Sequence, residues 1–599
     1  MINKITYLDG ARMRRALIAG ANNVLSRQEY LNKINVFPVP DGDTGTNMAF
    51  TLSSILDKTS KNEMTRVDDM LAIIADAALD GARGNSGVIL AQFFQGLSDG
   101  AAGCDKMTPE SFSKAIQFGS EYARDALSEP KEGTILTVLT DFSNQLIKLI
   151  KNQSNDFEQL LEGGIKEAEK SLENTPNLLA VLKKAGVVDA GAQGFVDLLH
   201  GIFNFIKNGD VKGFKTDLKN KKITIDLHSD STEYDESKFR YCTECIIKGN
   251  GISHQKLREE LVPLGDSLVV AGNKTKAKVH IHSNSPSEIY SHCSKFGNVE
   301  GEKADDMWKQ QATVSNHKSK GIAIVTDTGA DLPEDLDLDI HTVPVRYNFG
   351  DVGYIDKISQ TAEEFYNELS INPNHPQTSQ PTPGDFRRQY QFLKTHYESI
   401  ISVHLPKVLS GTFQSATNAS KRLEDTKINV IDGLSASVGL GLIVMKIAHL
   451  AKSGKKHEEI IELLPEIISQ TDVYLIVKDL TYIVRGGRLP AWVKKIADIL
   501  NLRPILNIKN EGNIGASGAI FGTANFPEKF SKTILGKMDP NKSYNISIAH
   551  SNALSDGEKL SSLIQKGHNN INSIYVMDLG CALGIHAGPG SLAASIQIS

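Results

Sequence analysis

The sequence predicts a multidomain protein in three parts: an all-α segment over residues 1–210, a small α+β segment over 211–317 and an α/β segment over 318–599. Three observations carry this. A chain of 599 residues exceeds what one hydrophobic core organises. Long apolar runs at helical spacing dominate up to Gly209, with strand signals scarce, and short β-rich runs replace them from Lys212 to His317. From Gly321 onward short apolar runs alternate with helical stretches, which is the pattern of an α/β sheet.

Composition narrows the class. Hydrophobic residues at 40% and charged residues at 23% describe ordinary globular material. A net charge of -6 without a basic stripe argues against a sequence-nonspecific nucleic-acid binder. Five cysteines in so long a chain are an odd, sparse set, so reduced thiols are expected rather than a disulfide framework. The first ten residues lack a basic stretch followed by an apolar one, and no segment approaches the roughly 20 apolar residues of a bilayer span. The expected address is cytoplasmic.

In the first segment the helical runs Met70 to Leu79, Gly87 to Leu97 and Leu136 to Ile150 alternate with polar turns. Two turns carry chemistry. Asn35-Val-Phe-Pro-Val-Pro-Asp-Gly-Asp-Thr-Gly-Thr-Asn47 places Asp41 and Asp43 two positions apart in a tight bend with Thr44, Thr46 and Asn47. Such a pair suits a hard cation, which magnesium-type sites hold with one or two carboxylates plus substrate phosphates. An Asx-turn with solvated acids is the alternative. Asp80-Gly-Ala-Arg-Gly-Asn-Ser-Gly87 leads straight into an apolar helix, and its free amides and positive dipole end suit phosphate. Ser86 as an ordinary N-cap is the rival there. Glu132-Gly-Thr-Ile135 and Val188-Asp-Ala-Gly-Ala-Gln-Gly194 are two further helix openings of this kind.

Together these stretches resemble the nucleotide-binding L domain of dihydroxyacetone kinases, and more closely that of bacterial fatty acid kinase. The resemblance implies an antiparallel helical barrel that binds ATP through magnesium held by carboxylates, and the chain indeed lacks a Walker-type loop. It makes Asp41 and Asp43 the metal-binding acids. Asn35 stands nearest the position of a third acid. Thr44, Gly45, Thr46 and Asn47, with Gly84, Asn85, Ser86 and Gly87, match positions that meet phosphates, and Thr134, Asp189 and Gly191 match elements lining the nucleotide pocket.

The second segment offers strand runs at Lys222 to Leu227, Phe239 to Ile247, Ser267 to Ala271 and Ala277 to Ile281. Within them lie Tyr241-Cys242-Thr-Glu-Cys245 and Lys278-Val-His280-Ile-His282. On a strand His280 and His282 share a face, so both imidazoles reach one ion, and Cys242 is the natural third ligand. Two exposed histidines beside a buried free thiol explain the same residues without metal. Cys245 falls on the opposite face from Cys242. The middle domain of fatty acid kinase has a similar pattern associated with zinc.

After the charged hinge Asn316 to Gly321, Ile322-Ala-Ile-Val-Thr-Asp-Thr-Gly329 reads as a buried first strand with its loop at the carboxyl end. Further strands are expected at Ile400 to Val403, Ile428 to Ile431, Val473 to Val477 and Ile574 to Met577. The loops Gln377 to Pro381, Leu409 to Phe413, Tyr482 to Arg488 and Gly584 to Gly590, with Thr326 to Thr328, resemble the DegV family across this last domain. The resemblance implies an α/β domain of two subdomains that buries a fatty-acid tail. It assigns the carboxylate end to Thr378 or Ser379, to Ser410, Gly411 and Thr412, and to His586 and Gly588. One departure stands out: Gly515-Ala-Ser-Gly-Ala-Ile-Phe521-Gly-Thr carries no Arg or Lys where the family's kinase-associated members tend to have a basic residue.

The combination implies an ATP-dependent fatty acid kinase that converts a bound fatty acid to its acyl phosphate, with ATP and Mg2+ as cofactors and zinc left open. A non-catalytic lipid binder and a dihydroxyacetone-type kinase are the rivals. Fatty acid and ATP are the expected partners. A homodimer and transient membrane contact for lipid exchange are compatible with the sequence, and nucleic acid is not expected.

Overall fold

A computed structural model describes residues 5–38, 40, 42–60, 62, 64–153, 155–208, 238–315, 321–423, 426–487, 489–508 and 511–599. Asp41, Arg488 and the expected strand Lys222 to Leu227 lie outside the described residues. The chain divides into two compact units, Met1–Asn316 and His317–Ser599.

In the first unit the helices pack in a closed circuit. Gly10–Ser26 lies against Ala190–Asn208, which packs on Phe157–Leu178. The circuit continues through Ile135–Lys151, Pro109–Asp125, Gly84–Gly100, Val67–Gly81 and Thr44–Thr59, which returns to Gly10–Ser26. Local sequence sets several starts. Asp9 and Asp156 cap their helices, and Thr108 with Ser111 forms a capping box ahead of Pro109. The apolar faces meet inside, where Phe93 and Phe142 pack edge-on against Phe195 with centroids 5.6 and 5.7 Å away.

The middle segment is a four-stranded sheet in the order Asp266–Gly272, Lys276–Ser283, Tyr241–Lys248, Asn298–Asp306, with helices His254–Leu261 and Pro286–Ser294. All its pairings are antiparallel. Val269 and Ala271 join the core of the helical part, and the backbone of Ala126 to Ser128 bonds to that of Leu268 and Val270. The all-α and sheet segments therefore share one apolar interior.

The second unit holds three sheets. Lys427–Asp432, Ser399–His404, Ile322–Asp327 and Ile340–Val343 form a parallel sheet. A six-stranded sheet runs Ile514–Phe521, Leu502–Ile508, Thr471–Ile476, Leu592–Ile598, Tyr544–His550, Ile571–Asp578; only its last pair is parallel. A small antiparallel sheet comprises Val352–Ile355, Arg346–Phe349 and Gln377–Ser379. The expected strands after Gly321 all form. The antiparallel majority of the second large sheet is what the alternating strand and helix runs did not disclose.

Candidate functional site

The loop Asp43–Asn47 opens the Thr44–Thr59 helix. Asp43 is its N-cap residue, and its carboxylate makes no side-chain cap bond. Thr44, Thr46 and Asn47 are buried. Asn32 accepts from the Thr46 amide at 2.9 Å and donates to its hydroxyl at 2.9 Å, and Gln28 donates to the same hydroxyl. Thr46 is thus taken up by the neighbouring helix. A Cβ on Gly45 would lie 2.2 Å from the Gln28 carbonyl, so this glycine serves a close helix approach. Asn35 is buried, and Asp41 lies outside the described residues.

Gly84 to Gly87 form the first turn of the Gly84–Gly100 helix. Its N-cap is Arg83, whose own side chain makes no cap bond, so Ser86 sits inside the helix and the rival N-cap reading of Ser86 is corrected. Gly84 has φ +54°, and a Cβ there would meet Asn47 Nδ2 at 2.2 Å. The same test places Gly87 beside Asn47 and Thr51, and Gly191 beside Ser86, Asp189 and Ile135. Four helix starts, at Thr44, Gly84, Ile135 and Ala190, therefore converge. Their orphan amides and dipole ends make one end of the helical ring a place for negative charge. Thr134 caps the Ile135 helix. Asp189 accepts from Ala192 N at 2.8 Å and is buried, and burial pushes its carboxyl up to about 6. Asn85 Oδ1 is a buried acceptor without a partner.

The middle sheet brings a second cluster to this place. Strand register sets Cys242 opposite His282 and Glu244 opposite His280, so all four side chains share one face, and Lys278 joins it two positions before His280. One ligand atom each from Cys242, His280 and His282 lies within 4.8 Å of the others. His282 Nδ1 is 3.2 Å from Asp266 Oδ1, and His280 Nδ1 is 3.3 Å from Glu244 Oε1. His280 Nε2 is buried with no hydrogen-bond partner. Cys242 Sγ lies 3.7 Å from His280 Nδ1, and one thiol with two imidazoles is the donor set of a zinc site, so the residues fit that ion.

Burial pushes the Cys242 thiol well up, with nearby acids including Asp43 adding to it, while Lys303 opposes them. Burial holds His280 down at about 4. Burial works to raise the Glu244 carboxyl, but Lys303, Lys278, His280 and Arg83 outweigh it and hold it well below the usual range. Cys245 is buried with its thiol beside Cys293 and takes no part. Glu244, Lys278, Lys303 and Arg83 were not singled out from sequence, although the period of two that joined His280 to His282 also joins Cys242 to Glu244 and Lys278 to His280.

In the second unit a cavity of about 160 Å³ is walled by Leu405, Val473, Leu475, Leu506, Leu579 and Ala593 among other apolar side chains. Thr378, Gln380, Ser410, Ser437, Asn507 and His586 supply its polar atoms. Thr378 and not Ser379 reaches it; Ser379 is exposed on the opposite face of the short strand. Ser410 Oγ and Thr412 Oγ1 are 2.8 Å apart, and Thr412 is fully buried behind Ser410. Gly411 and Gly588 do not line the cavity. A Cβ on Gly411 would strike Gln380, and one on Gly588 would strike the Tyr482 ring.

His586 lies on the helix Cys581–Ala587, against the backbone of Gly486. Asp331 fixes that helix and the cavity rim together: its carboxylate accepts from Gly580 N at 3.0 Å and from Ser437 Oγ at 2.7 Å. Thr326 to Thr328 close the Ile322–Asp327 strand and hold its end in place. Asp327 accepts from the Gly329 and Leu405 amides and pairs with buried His404 at 2.9 Å, joining the ends of two parallel strands. Gln380, Ser437 and Asn507 were missed in the sequence, and Asn507 Oδ1 is buried without a partner. Phe521, at the departure from the family pattern, is 71% exposed on a sheet-edge strand. No helix among the described residues is long and apolar enough to cross a membrane.

Three family models match the chain in order. The DAK2 domain matches residues 38–204, the FakA-like middle domain of fatty acid kinase matches 238–314, and the uncharacterised DegV family matches 321–598. An uncharacterized protein of Staphylococcus epidermidis is 33% identical over 324 residues, covering 53% of this chain and 58% of that one. One of Staphylococcus saprophyticus is 32% identical over 330 residues, covering 54% and 60%. The chain thus spans less than two thirds of these relatives. Among solved structures, a DegV family protein of Thermus thermophilus described by its fatty acid binding is 28% identical, with 47% of this chain and 100% of that one covered and a TM-score of 0.44. A DegV fatty acid binding protein of Bacillus subtilis is 27% identical at the same coverage, TM-score 0.43. The fatty acid kinase B3 protein of Streptococcus pneumoniae, loaded with linoleic acid, is 22% identical at the same coverage, TM-score 0.43.

Proposed function

We propose that this chain, a fusion of a DAK2-type helical region and a FakA-like middle domain with a DegV-type domain, is an ATP-dependent kinase of fatty-acid carboxylates. The observation that carries the reading is the pairing of two unlike sites in one chain. One is a convergence of four helix starts suited to phosphates; the other is an apolar cavity with hydroxyl and imidazole groups among its lining. A tether between such parts holds each at an effective concentration of roughly millimolar for the other when the linker is short and flexible.

In this reading Asp41 and Asp43, with Asn35 nearby, would hold magnesium, which supplies charge neutralisation on the phosphates. Asn47, Ser86, Gly87 and the amides of the Gly84 turn other than Gly84 N, which Glu244 takes, receive the phosphates, and Thr134, Asp189 and Gly191 border the nucleotide. Thr378, Ser410 and His586 donate to the fatty-acid carboxylate, while the tail lies along the leucine and valine wall. A carboxylate is already ionised near pH 7, so it attacks the γ-phosphorus without a general base, ADP leaves, and the acyl phosphate forms. Phosphoryl transfer rests mainly on positioning and charge. Cys242, His280 and His282 would hold zinc.

The test is chemical trapping. Full-length protein incubated with ATP, magnesium and oleate in the presence of hydroxylamine should yield the acyl hydroxamate. The Asp41→Ala, Asp43→Ala double variant should yield none. No hydroxamate from the wild type, or an unchanged yield from the double variant, removes the proposal.

A further inference from the structure

The Cys/His face of the middle sheet touches the phosphate turn through one side chain. Glu244 is fully buried. Its Oε1 accepts from Gly84 N at 2.7 Å and lies 3.3 Å from His280 Nδ1, while Oε2 lies 3.3 Å from Lys278 Nζ. Each histidine of the cluster thus has Nδ1 against a carboxylate, Asp266 for His282 and Glu244 for His280. His280 Nδ1 also lies 3.7 Å from Cys242 Sγ, so Glu244 holds this imidazole at the thiol, and its Nε2 is buried without a hydrogen-bond partner. Carboxylates so placed orient metal-bound imidazoles.

The two carboxylates differ in where they lead. The Asp266 side chain is 53% exposed on an edge strand. Glu244 takes the first amide of the Gly84–Gly100 helix and so fixes the turn whose other amides border the proposed nucleotide site. The same sheet grips the approach to that turn a second time. Lys276 pairs with Asp76 at 2.9 Å and with Asp80, both on the helix Val67–Gly81 that leads into the turn. The turn is therefore braced from the middle sheet on both sides.

We infer that Glu244 is a positioning residue that couples a metal at Cys242, His280 and His282 to nucleotide affinity at the Gly84 turn, because one oxygen both orients a metal ligand and fixes the turn's first amide. This rests on the nucleotide reading above. Coupling between two binding sites is reciprocal: metal strengthens nucleotide binding, and nucleotide strengthens metal binding by the same factor.

The experiment measures the affinity of full-length protein for magnesium-ADP by calorimetry, zinc-loaded and after chelation, with zinc content read by mass spectrometry. Zinc affinity with and without ADP is read by competition with a chromophoric chelator. The wild type should lose about 5- to 100-fold in ADP affinity on zinc removal, zinc affinity should move by the same factor, and amide exchange over residues 80–90 should quicken. Glu244→Gln, which keeps size but removes the charge that strengthens both hydrogen bonds, to Gly84 N and to His280 Nδ1, should shrink both factors towards one. Asp266→Asn should weaken zinc and leave the coupling factor intact. Equal ADP affinity with and without zinc, no zinc bound at all, or a Glu244→Gln coupling equal to that of the wild type overturns the inference. A wild type that binds no ADP under any condition overturns the nucleotide reading as well; ADP binding without coupling overturns this inference alone.

Discussion

The two sites solve opposite solvation problems. In the first unit, charges are buried and answered by other charges: Glu244 sits among Lys278, Lys303 and a helix-terminal amide, and four helix starts face the same region. In the second unit the cavity is lined by aliphatic groups and by neutral hydroxyls, amides and one imidazole. The first suits a small, highly charged ligand, because buried anions need paired donors. The second suits a long apolar chain with a single polar end.

That contrast can be broken by changing one site and reading both. The largest effect is expected from Asp43→Ala, which should lower acyl phosphate formation by at least ~10³-fold, given how far phosphoryl transfer rests on charge neutralisation. Lipid bound on purification should be unchanged. Loss of both would mean the sites are not separate. Next, Ala593→Phe places a ring in a cavity of about 160 Å³ and should lower fatty-acid affinity about 100-fold with ADP affinity intact, both read by calorimetry. His586→Ala should cost about 10-fold in affinity for a fatty acid, the value of a charge-assisted hydrogen bond. It should cost nothing for the corresponding methyl ester; an equal loss for both would place His586 in packing and not in carboxylate recognition.

The smallest effect concerns Asp189. Its folded carboxyl, up to about 6 from 3.8, favours the protonated form, so its contribution to stability is best below the unfolded value and declines as pH rises through 3.8 to 6. Asp189→Asn keeps an acceptor for Ala192 N and removes the cost of a buried charge. The variant should melt a few degrees higher at about pH 7.5, where a shift of this size corresponds to about 3 kcal/mol, and the gain should vanish near pH 4. A gain that persists at low pH would point to a cause other than ionisation.

Much of this was legible in the sequence because short-range period carries it. The spacing of His280 and His282, the glycines before the Val88 helix and the loops of the last domain each place side chains by local rule. What escaped was set by register between strands distant in sequence. Glu244 meets Gly84 across 160 positions, and no local pattern announces it. The rival reading of Ser86 as an N-cap was open in the sequence because serine suits that place, and it falls because the helix already begins at Gly84, with Arg83 at the cap. Thr46 and Gly45 sit in a motif that looks wholly functional, yet both serve packing against the neighbouring helix. Ser379 and Thr378 were inseparable until a three-residue strand gave them opposite faces.

The central claim is that a phosphoryl group passes from a nucleotide held by the first unit to a carboxylate held by the second. It is tested most directly by incubating the protein with γ-labelled ATP, magnesium and oleate and following the label into the lipid extract, with Asp43→Ala and Ala593→Phe run beside the wild type. The account predicts a hydroxylamine-labile labelled lipid from the wild type and from neither variant. Label in the lipid that survives Asp43→Ala, or no labelled lipid from a wild type shown to bind both ATP and oleate, would contradict it.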